Sequence, residues 1–207
     1  MSDELVFYTN PMSRGRIVRW MLEEVGQPYR TEILEFGTTM KAPAYLAINP
    51  MGKVPAIRHG DTVVTEAAAI CAYLADAFPQ ANLAPAPGSR ERGPYYRWLF
   101  FGAGPVESAV SNKALGFQVP PERTGTIGYG SLESVLNALE NALSKGDYLA
   151  GDRFTAADLY VGAQIGWGMQ FGSIEKRPVF ERYAARINGR PAAIRAREID
   201  DALLKKK

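Results

Sequence analysis

The chain contains one cysteine and one histidine, and neither sign of charge dominates it. The single cysteine, Cys71, excludes an internal disulfide and favours a reducing compartment. Its 24 basic and 22 acidic residues are interspersed, so no basic stripe suggests nucleic acid. No apolar run approaches the about 18 residues needed to span a bilayer. We therefore expect a cytoplasmic protein with no nucleic-acid partner, no membrane partner and no bound metal.

Strand-like and helix-like patterns alternate over the first 80 residues. Short apolar runs bounded by turn residues predict strands at residues 5–8, 29–34, 54–58 and 62–64. A helix is predicted from about Ser13 to its stop at Gly26, and a weaker one over residues 41–47. A third helix carries Ile70 and Leu74 on one face. The predicted order is β-α-β-α-β-β-α.

A segment rich in proline, residues 79–88, interrupts this alternation and fits neither a helix nor a central strand. Beyond it the spacing of apolar residues predicts helices, including a long one over residues 90–110 that is interrupted near 102–105. This organisation predicts a small α/β domain at residues 1–80, a linker at 81–89 and an all-helical domain at 90–207.

A capping box is predicted at Thr155-Ala156-Ala157-Asp158. The helix that follows, to about Met169, has no charged residue and is expected to be buried in the domain centre. On the sequence alone, loss of the cap in Asp158→Ala is expected to cost about 1–2 kcal/mol.

Two neighbouring motifs predict a binding site. Val54-Pro55 predicts a tight bend in front of a strand, because proline has no backbone N–H and its preceding bond can be cis. Thr65-Glu66-Ala67 predicts a helix start with Glu66 in the first turn. A strand edge can pair with a peptide backbone, and a helix N-terminus attracts a carboxylate. Together they favour a peptide-like anion as ligand.

With these motifs the chain resembles the cytosolic glutathione S-transferases, particularly the bacterial ones. The matching segments are residues 7–20 (FYTNPMSRGRIVRW), 49–55 (NPMGKVP), 65–67 (TEA) and 155–158 (TAAD). The resemblance covers essentially the whole chain. It implies a thioredoxin-like N-terminal domain, an all-helical C-terminal domain, a homodimer and a detoxifying enzyme with glutathione as co-substrate.

The resemblance also implies which residues bind glutathione. Val54, in front of the cis-proline Pro55, would pair with the cysteinyl backbone. Glu66 and Ala67 would hold the γ-glutamyl end, while Lys53 and Lys41 would receive the glycyl carboxylate or be plain surface residues. Many relatives have serine in place of Ala67, and losing that hydrogen bond would weaken binding by about 1.5–3 kcal/mol.

Three residues are candidates for activating the glutathione thiol: Ser13, Asn10 and Tyr8. Relatives place a Tyr, Ser or Cys near the end of the first strand or the start of the first helix. Ser13 is preferred, although it is equally a helix cap. Asn10 is equally a turn residue, whereas for Tyr8, at the end of a strand, packing is favoured over catalysis. Cys71 is expected to be a packed thiol. Residues 10–13 (NPMS) lack the Cys-x-x-Cys motif that thioredoxin-fold redox proteins carry at this place, which disfavours disulfide exchange through protein thiols.

The second substrate is expected to be a small apolar electrophile. Tyr95, Tyr96, Leu99 and Trp167 are the candidate lining residues, with core packing as their alternative role.

The leading functional hypothesis is conjugation of glutathione to such electrophiles. Two alternatives stay open: a glutathione-dependent peroxidase or disulfide reductase, and a non-catalytic binding or scaffold protein.

Overall fold

The computed structural model describes residues 4–205. Contacts divide the chain into two compact units. The first takes in the chain up to Asn82 together with the segment from Arg190 onward, and the second is Leu83–Gly189. The proposed division into residues 1–80, 81–89 and 90–207 stays a prediction; by contacts, the last helix of the predicted helical domain groups with the first unit.

The first unit is built on a four-stranded mixed sheet. Its strands are β1 (Leu5–Thr9), β2 (Arg30–Ile33), β3 (Ala56–His59) and β4 (Thr62–Thr65). They lie in the order β2-β1-β3-β4, with β1 parallel to β2 and antiparallel to β3, and β3 antiparallel to β4. Strand β1 is buried throughout. The thioredoxin-like order predicted from the sequence is confirmed.

Three helices connect or follow these strands: α1 (Gly15–Val25), α2 (Pro43–Leu46) and α3 (Ala67–Ala77). Helix α1 ends, as predicted, at Gly26, which has φ +71°. Its first residue must be glycine, because a Cβ on Gly15 would lie 2.0 Å from Oγ1 of the buried Thr9. Close contact between the end of β1 and the start of α1 therefore depends on this glycine.

The second unit is helical. Its helices are α4 (Arg92–Phe101), α5 (Glu107–Ala114), α6 (Leu132–Leu143), α7 (Ala156–Phe171) and α8 (Pro178–Asn188). The predicted interruption near residues 102–105 is a π-helical segment, Gly102–Val106, with Pro105 inside it. Within residues 4–205, no helix combines the length and apolar character needed to cross a membrane.

The predicted capping box forms at the start of α7. Asp158 is fully buried and accepts four hydrogen bonds, from Leu149 N, Thr155 N, Thr155 Oγ1 and Tyr183 Oη, at 2.8–2.9 Å. Burial raises the pKa of the Asp158 carboxyl, and these donors partly offset that rise. Asp158 thus joins the loop before α7, the helix itself and α8.

The last helix, α9 (Pro191–Leu204), packs on α1 within the first unit. Charged side chains pair along this contact in antiparallel order: Arg16–Asp201, Arg19–Asp200, Glu23–Arg195 and Glu24–Arg190. Each helix carries its basic residues first and its acidic residues last. The two patterns therefore match only when the helices run in opposite directions.

Arg19–Asp200 is the buried member of this set, with side-chain exposure of 2% and 1%. The Arg19 guanidinium lies over the rings of Phe7 and Tyr29 and donates to Tyr29 Oη and Thr31 Oγ1. Burial raises the pKa of the Asp200 carboxyl, and the neighbouring Arg19 partly offsets that rise.

Asp158→Ala should lower the free energy of unfolding by about 3–5 kcal/mol. This exceeds the cost of a cap alone because four buried donors lose their acceptor. Urea unfolding measures the loss. The matched control is Asp152→Ala, which changes an exposed carboxylate in the same segment and should stay within about 0.5 kcal/mol of the unmodified protein. Equal losses of stability in the two variants would contradict the structural role given to the buried Asp158 carboxylate.

Neighbouring aspartates of α9 should differ sharply in their effect on stability. Asp200→Ala leaves the Arg19 charge buried without its carboxylate partner and should cost about 3–5 kcal/mol. Asp201→Ala breaks a half-exposed pair and should cost less than about 1 kcal/mol. Comparison of both variants by urea unfolding checks the ranking, and a larger loss for Asp201→Ala would refute it.

Candidate active site

Strand register brings three chain segments to one edge of the sheet. Tyr8 pairs with Ala56, and Ala56 pairs with Thr65. The chain therefore leaves β1 towards Asn10, enters β3 from Pro55 and leaves β4 into Glu66 at the same edge. These two pairings bring the segments around Asn10, Pro55 and Glu66 next to one another.

The Val54–Pro55 peptide bond is cis, as the resemblance implied. The carbonyl of the preceding residue, Lys53, accepts hydrogen bonds from Tyr45 Oη at 2.6 Å and Asn49 Nδ2 at 2.8 Å. Burial raises the pKa of Tyr45 to about 12, so its hydroxyl keeps the proton that it donates. These bonds orient the chain that enters Val54.

Tyr45 and Asn49 were not among the predicted site residues. Asn49 carries a recognisable signal, because asparagine in front of proline commonly accepts a bond from the N–H two residues on, as its Oδ1 does from Met51 N at 3.1 Å. Tyr45 carries none, since its bond to Lys53 O depends on how α2 folds against the turn.

Glu66 has φ +67°, although it is not glycine. Backbone in this region is unfavourable for an L-residue and is concentrated at functional sites. The Glu66 side chain is exposed and makes no capping hydrogen bond to α3. Because Thr65 pairs with Ala56, α3 starts at the sheet edge at which Pro55 lies, and its N-terminus carries a partial positive charge.

The remaining predicted ligands of the glutathione site are Ala67, Lys41 and Lys53. Ala67 is buried at the first position of α3 and has no hydroxyl to offer. Both lysines are exposed, and Lys41 Nζ donates to Met51 O at 3.1 Å. Their roles stay predictions.

Among the candidates for thiol activation, Tyr8 and Asn10 have structural roles. Tyr8 is 8% exposed and packs on Tyr45, with ring centroids 5.7 Å apart. Asn10 is buried; its Nδ2 donates to Leu34 O at 2.7 Å and its Oδ1 accepts from Met12 N at 2.9 Å. In the structure Tyr8 packs and Asn10 holds a turn. These are the structural alternatives that the sequence left open for the two residues.

Ser13 is half-buried in front of α1. Its Oγ accepts from Gly15 N at 2.9 Å and donates to Asn10 O at 2.7 Å. A hydroxyl has one donor and two acceptor sites, and it rotates to suit its partners. Ser13 therefore caps the helix and directs its only proton to a neutral carbonyl, which a stronger acceptor can replace.

Cys71 is fully buried in α3. Burial raises the pKa of its thiol well above the ordinary value. A buried thiol that keeps its proton is inert, so the predicted packing role of Cys71 agrees with its surroundings.

The residues predicted to line a second substrate site lie in the second unit. Tyr95 and Leu99 are buried, whereas Tyr96 is 42% exposed and Trp167 is half-buried. Tyr96 Oη accepts from Arg92 Nε at 3.0 Å. Their exposed surface makes Tyr96 and Trp167 better candidates for substrate contact than the buried Tyr95 and Leu99. The role of all four residues stays a prediction.

The described residues contain no group of three or more His, Cys, Asp or Glu side chains placed to hold a metal ion.

Comparison with known proteins adds independent findings. The family description "Glutathione S-transferase, N-terminal domain" matches residues 12–77, and "Glutathione S-transferase, C-terminal domain" matches residues 123–191. Glutathione S-transferase 1 of Zea mays is 32% identical over 70% of this chain and 74% of its own length.

Two solved structures are similar over almost the whole chain. A glutathione transferase from Methylococcus capsulatus has a TM-score of 0.79 at 29% identity, covering 96% of this chain and 99% of its own. A sphingomonad glutathione S-transferase complexed with glutathione has a TM-score of 0.76 at 29% identity, covering 95% and 98%. The chain therefore belongs to the cytosolic glutathione S-transferase superfamily and is a glutathione transferase.

Proposed function

We propose that this transferase joins the thiolate of glutathione to small hydrophobic electrophiles, with Ser13 as the hydrogen-bond donor to sulfur. The observation that supports this most strongly is the placement of the Ser13 hydroxyl. It precedes the N-terminus of α1, is held by Gly15 N–H and directs its proton to a replaceable carbonyl. A thiolate is a charged acceptor and competes well for that proton.

The sheet edge suits a tripeptide with an anion at each end. The Val54 backbone would pair with the cysteinyl residue of glutathione, next to Pro55. The N-terminus of α3 would take the γ-glutamyl carboxylate, and the exposed Glu66 carboxylate would take the ammonium group. Lys53 and Lys41 would face the glycyl carboxylate. The sphingomonad relative, solved with glutathione, supports this ligand.

Catalysis would consist of ionising the thiol and holding it against the electrophile. A free thiol has a pKa of about 8.5 and is mostly protonated at neutral pH. A hydrogen bond from Ser13 and the positive end of α1 stabilise the thiolate, which lowers that pKa. The sulfur lone pair then forms the new S–C bond, and the electrophile releases its leaving group or accepts a proton after addition.

The remaining partners follow from this chemistry. Tyr96 and Trp167 are the proposed contacts for an apolar second substrate, because they retain exposed aromatic surface. A homodimer acting in cytoplasmic detoxification is proposed by analogy with the family. Cys71 has no part in turnover.

Ser13→Ala should lower kcat/KM with a model aryl halide at least about tenfold at neutral pH. The loss should shrink as the pH rises, because hydroxide then ionises the thiol without help. Affinity for glutathione should change by no more than about threefold, since the donor acts on the sulfur and not on the termini of the tripeptide.

The control for Ser13→Ala is Ser131→Ala. Ser131 caps α6 by accepting from Ser134 N at 3.0 Å, so this variant also removes a helix cap but in the other unit. Its turnover should match that of the unmodified protein. Unchanged turnover in Ser13→Ala would exclude Ser13 as the donor.

Glu66→Gln should weaken glutathione binding about tenfold or more by calorimetric titration, because an amide lacks the charge that pairs with the ammonium group. The glutamine keeps the size of the side chain at this strained backbone position. Asp61→Asn, which neutralises an exposed carboxylate in the β3–β4 turn, should bind as the unmodified protein does. Equal affinities in the three proteins would remove Glu66 from the site.

A further inference from the structure

Arg16 connects the segment that carries Ser13 to the last helix of the chain. Its Nε donates to Pro11 O at 2.7 Å, and its Nη2 donates to Asp201 Oδ1 at 2.6 Å. The side chains of Arg16 and Asp201 are 24% and 49% exposed. One guanidinium thus holds a carbonyl of the active-site turn and a carboxylate of α9.

The carbonyl that Arg16 holds lies inside the turn that orients Ser13. Asn10 O accepts from both Ser13 N at 3.0 Å and Ser13 Oγ at 2.7 Å, which closes the turn around Pro11. Rotation of the peptide that follows Pro11 would move Met12 and Ser13 together. A charge-assisted bond to Pro11 O limits that rotation.

The geometry of arginine suits this task. Nε–H and one Nη–H lie on the same edge of a rigid, planar fork. Two oxygen acceptors, Pro11 O and Asp201 Oδ1, are therefore fixed side by side by a single rigid group. A lysine ammonium has the same charge, but it is a point donor on a flexible stem and cannot fix both oxygens in the same way.

Other contacts also hold α9 on α1. Arg19–Asp200 is buried, and Glu24 receives two bonds from Arg190 at 2.6 and 2.8 Å. A half-exposed ion pair such as Arg16–Asp201 contributes little to stability on its own. The bond from Arg16 to the Pro11 carbonyl is therefore the feature that needs an explanation.

We propose that Arg16 and Asp201 are positioning residues for thiol activation. Asp201 orients Arg16, Arg16 fixes Pro11 O, and the turn then presents the Ser13 hydroxyl at the distance that stabilises the thiolate. Neither side chain contacts glutathione. The inference rests on the proposed role of Ser13 and adds that α9 takes part in setting the reactivity of bound glutathione.

Positioning and simple electrostatics make opposite predictions for one variant. Asp201→Asn removes a negative charge from the vicinity of the thiolate. If charge alone mattered, the thiolate would become more stable and the pKa of bound glutathione would fall. If Asp201 orients Arg16, the turn loosens and that pKa rises. The sign of the change therefore separates the two explanations.

The experiment measures the pKa of the glutathione thiol in complex with each protein, by the ultraviolet absorbance of the thiolate as the pH is raised. The variants are Arg16→Lys and Asp201→Asn. The matched control is Arg195→Lys, because Arg195 also donates from α9 to a carboxylate and a carbonyl, those of Glu23, at the far end of α1. Calorimetry gives the glutathione affinity of every variant, and thermal unfolding checks the fold.

We expect both variants to raise the thiol pKa by about 0.5–1 unit and to lower kcat/KM about threefold to tenfold at neutral pH. Glutathione affinity should stay within about twofold of the unmodified value. Arg195→Lys should leave the thiol pKa unchanged.

Three results would overturn the inference: an unchanged thiol pKa in Arg16→Lys, a lowered thiol pKa in Asp201→Asn, or an equal rise in Arg195→Lys.

Titration of Ser13→Ala in parallel separates failure of this inference from failure of the proposed function. A raised pKa in Ser13→Ala with unchanged Arg16→Lys would refute only the positioning role. An unchanged pKa in Ser13→Ala would refute both.

Discussion

The pairing of β3 with its two neighbours is the constraint on which the site depends. Ala56 lies opposite Tyr8 on one side and opposite Thr65 on the other. Because side chains alternate between the faces of a sheet and β1 is buried on both, a shift of one residue in either pairing would exchange the side chains that pack on the two faces, such as Val6 and Phe7. The core therefore enforces the register, and the register brings Asn10, Pro55 and Glu66 to one edge.

Polar groups at this edge hold the turns that form it. Ser13 caps α1 and directs its hydroxyl proton to Asn10 O, while Asn10 uses its whole amide to hold Leu34 and Met12. The Lys53 carbonyl is held by two donors, which leaves the neighbouring Val54 backbone in a defined orientation. A turn constrained in this way is already ordered before the ligand binds, so binding costs less conformational entropy.

Local sequence signals predicted much of this arrangement. Short apolar runs located the four strands, Gly26 ended α1, and the Thr155–Asp158 spacing predicted the capping box. The Val54-Pro55 and Glu66 motifs predicted one site for a peptide-like anion, and the resemblance to a family named glutathione as its ligand. The proximity of the two motifs depends on sheet pairing that no local pattern encodes.

Some features of the structure could not be predicted from the sequence, because they depend on contacts between separate segments of the chain. The bond from Tyr45 to Lys53 O and the positive φ of Glu66 have no signal in their own neighbourhoods. Helix α9 was assigned to the helical domain by its place in the chain, yet by contacts it groups with the first unit. Its matching charges, such as Asp200 opposite Arg19, are visible in the sequence only once the two helices are known to pair.

Ionisation of the glutathione thiol at this sheet edge can be measured by titrating the thiolate absorbance of glutathione in complex with the unmodified protein. If the site stabilises the thiolate as proposed, the apparent pKa lies at least about one unit below the ordinary thiol value of about 8.5. A bound thiol that titrates at its ordinary value would show that the site binds glutathione without activating it.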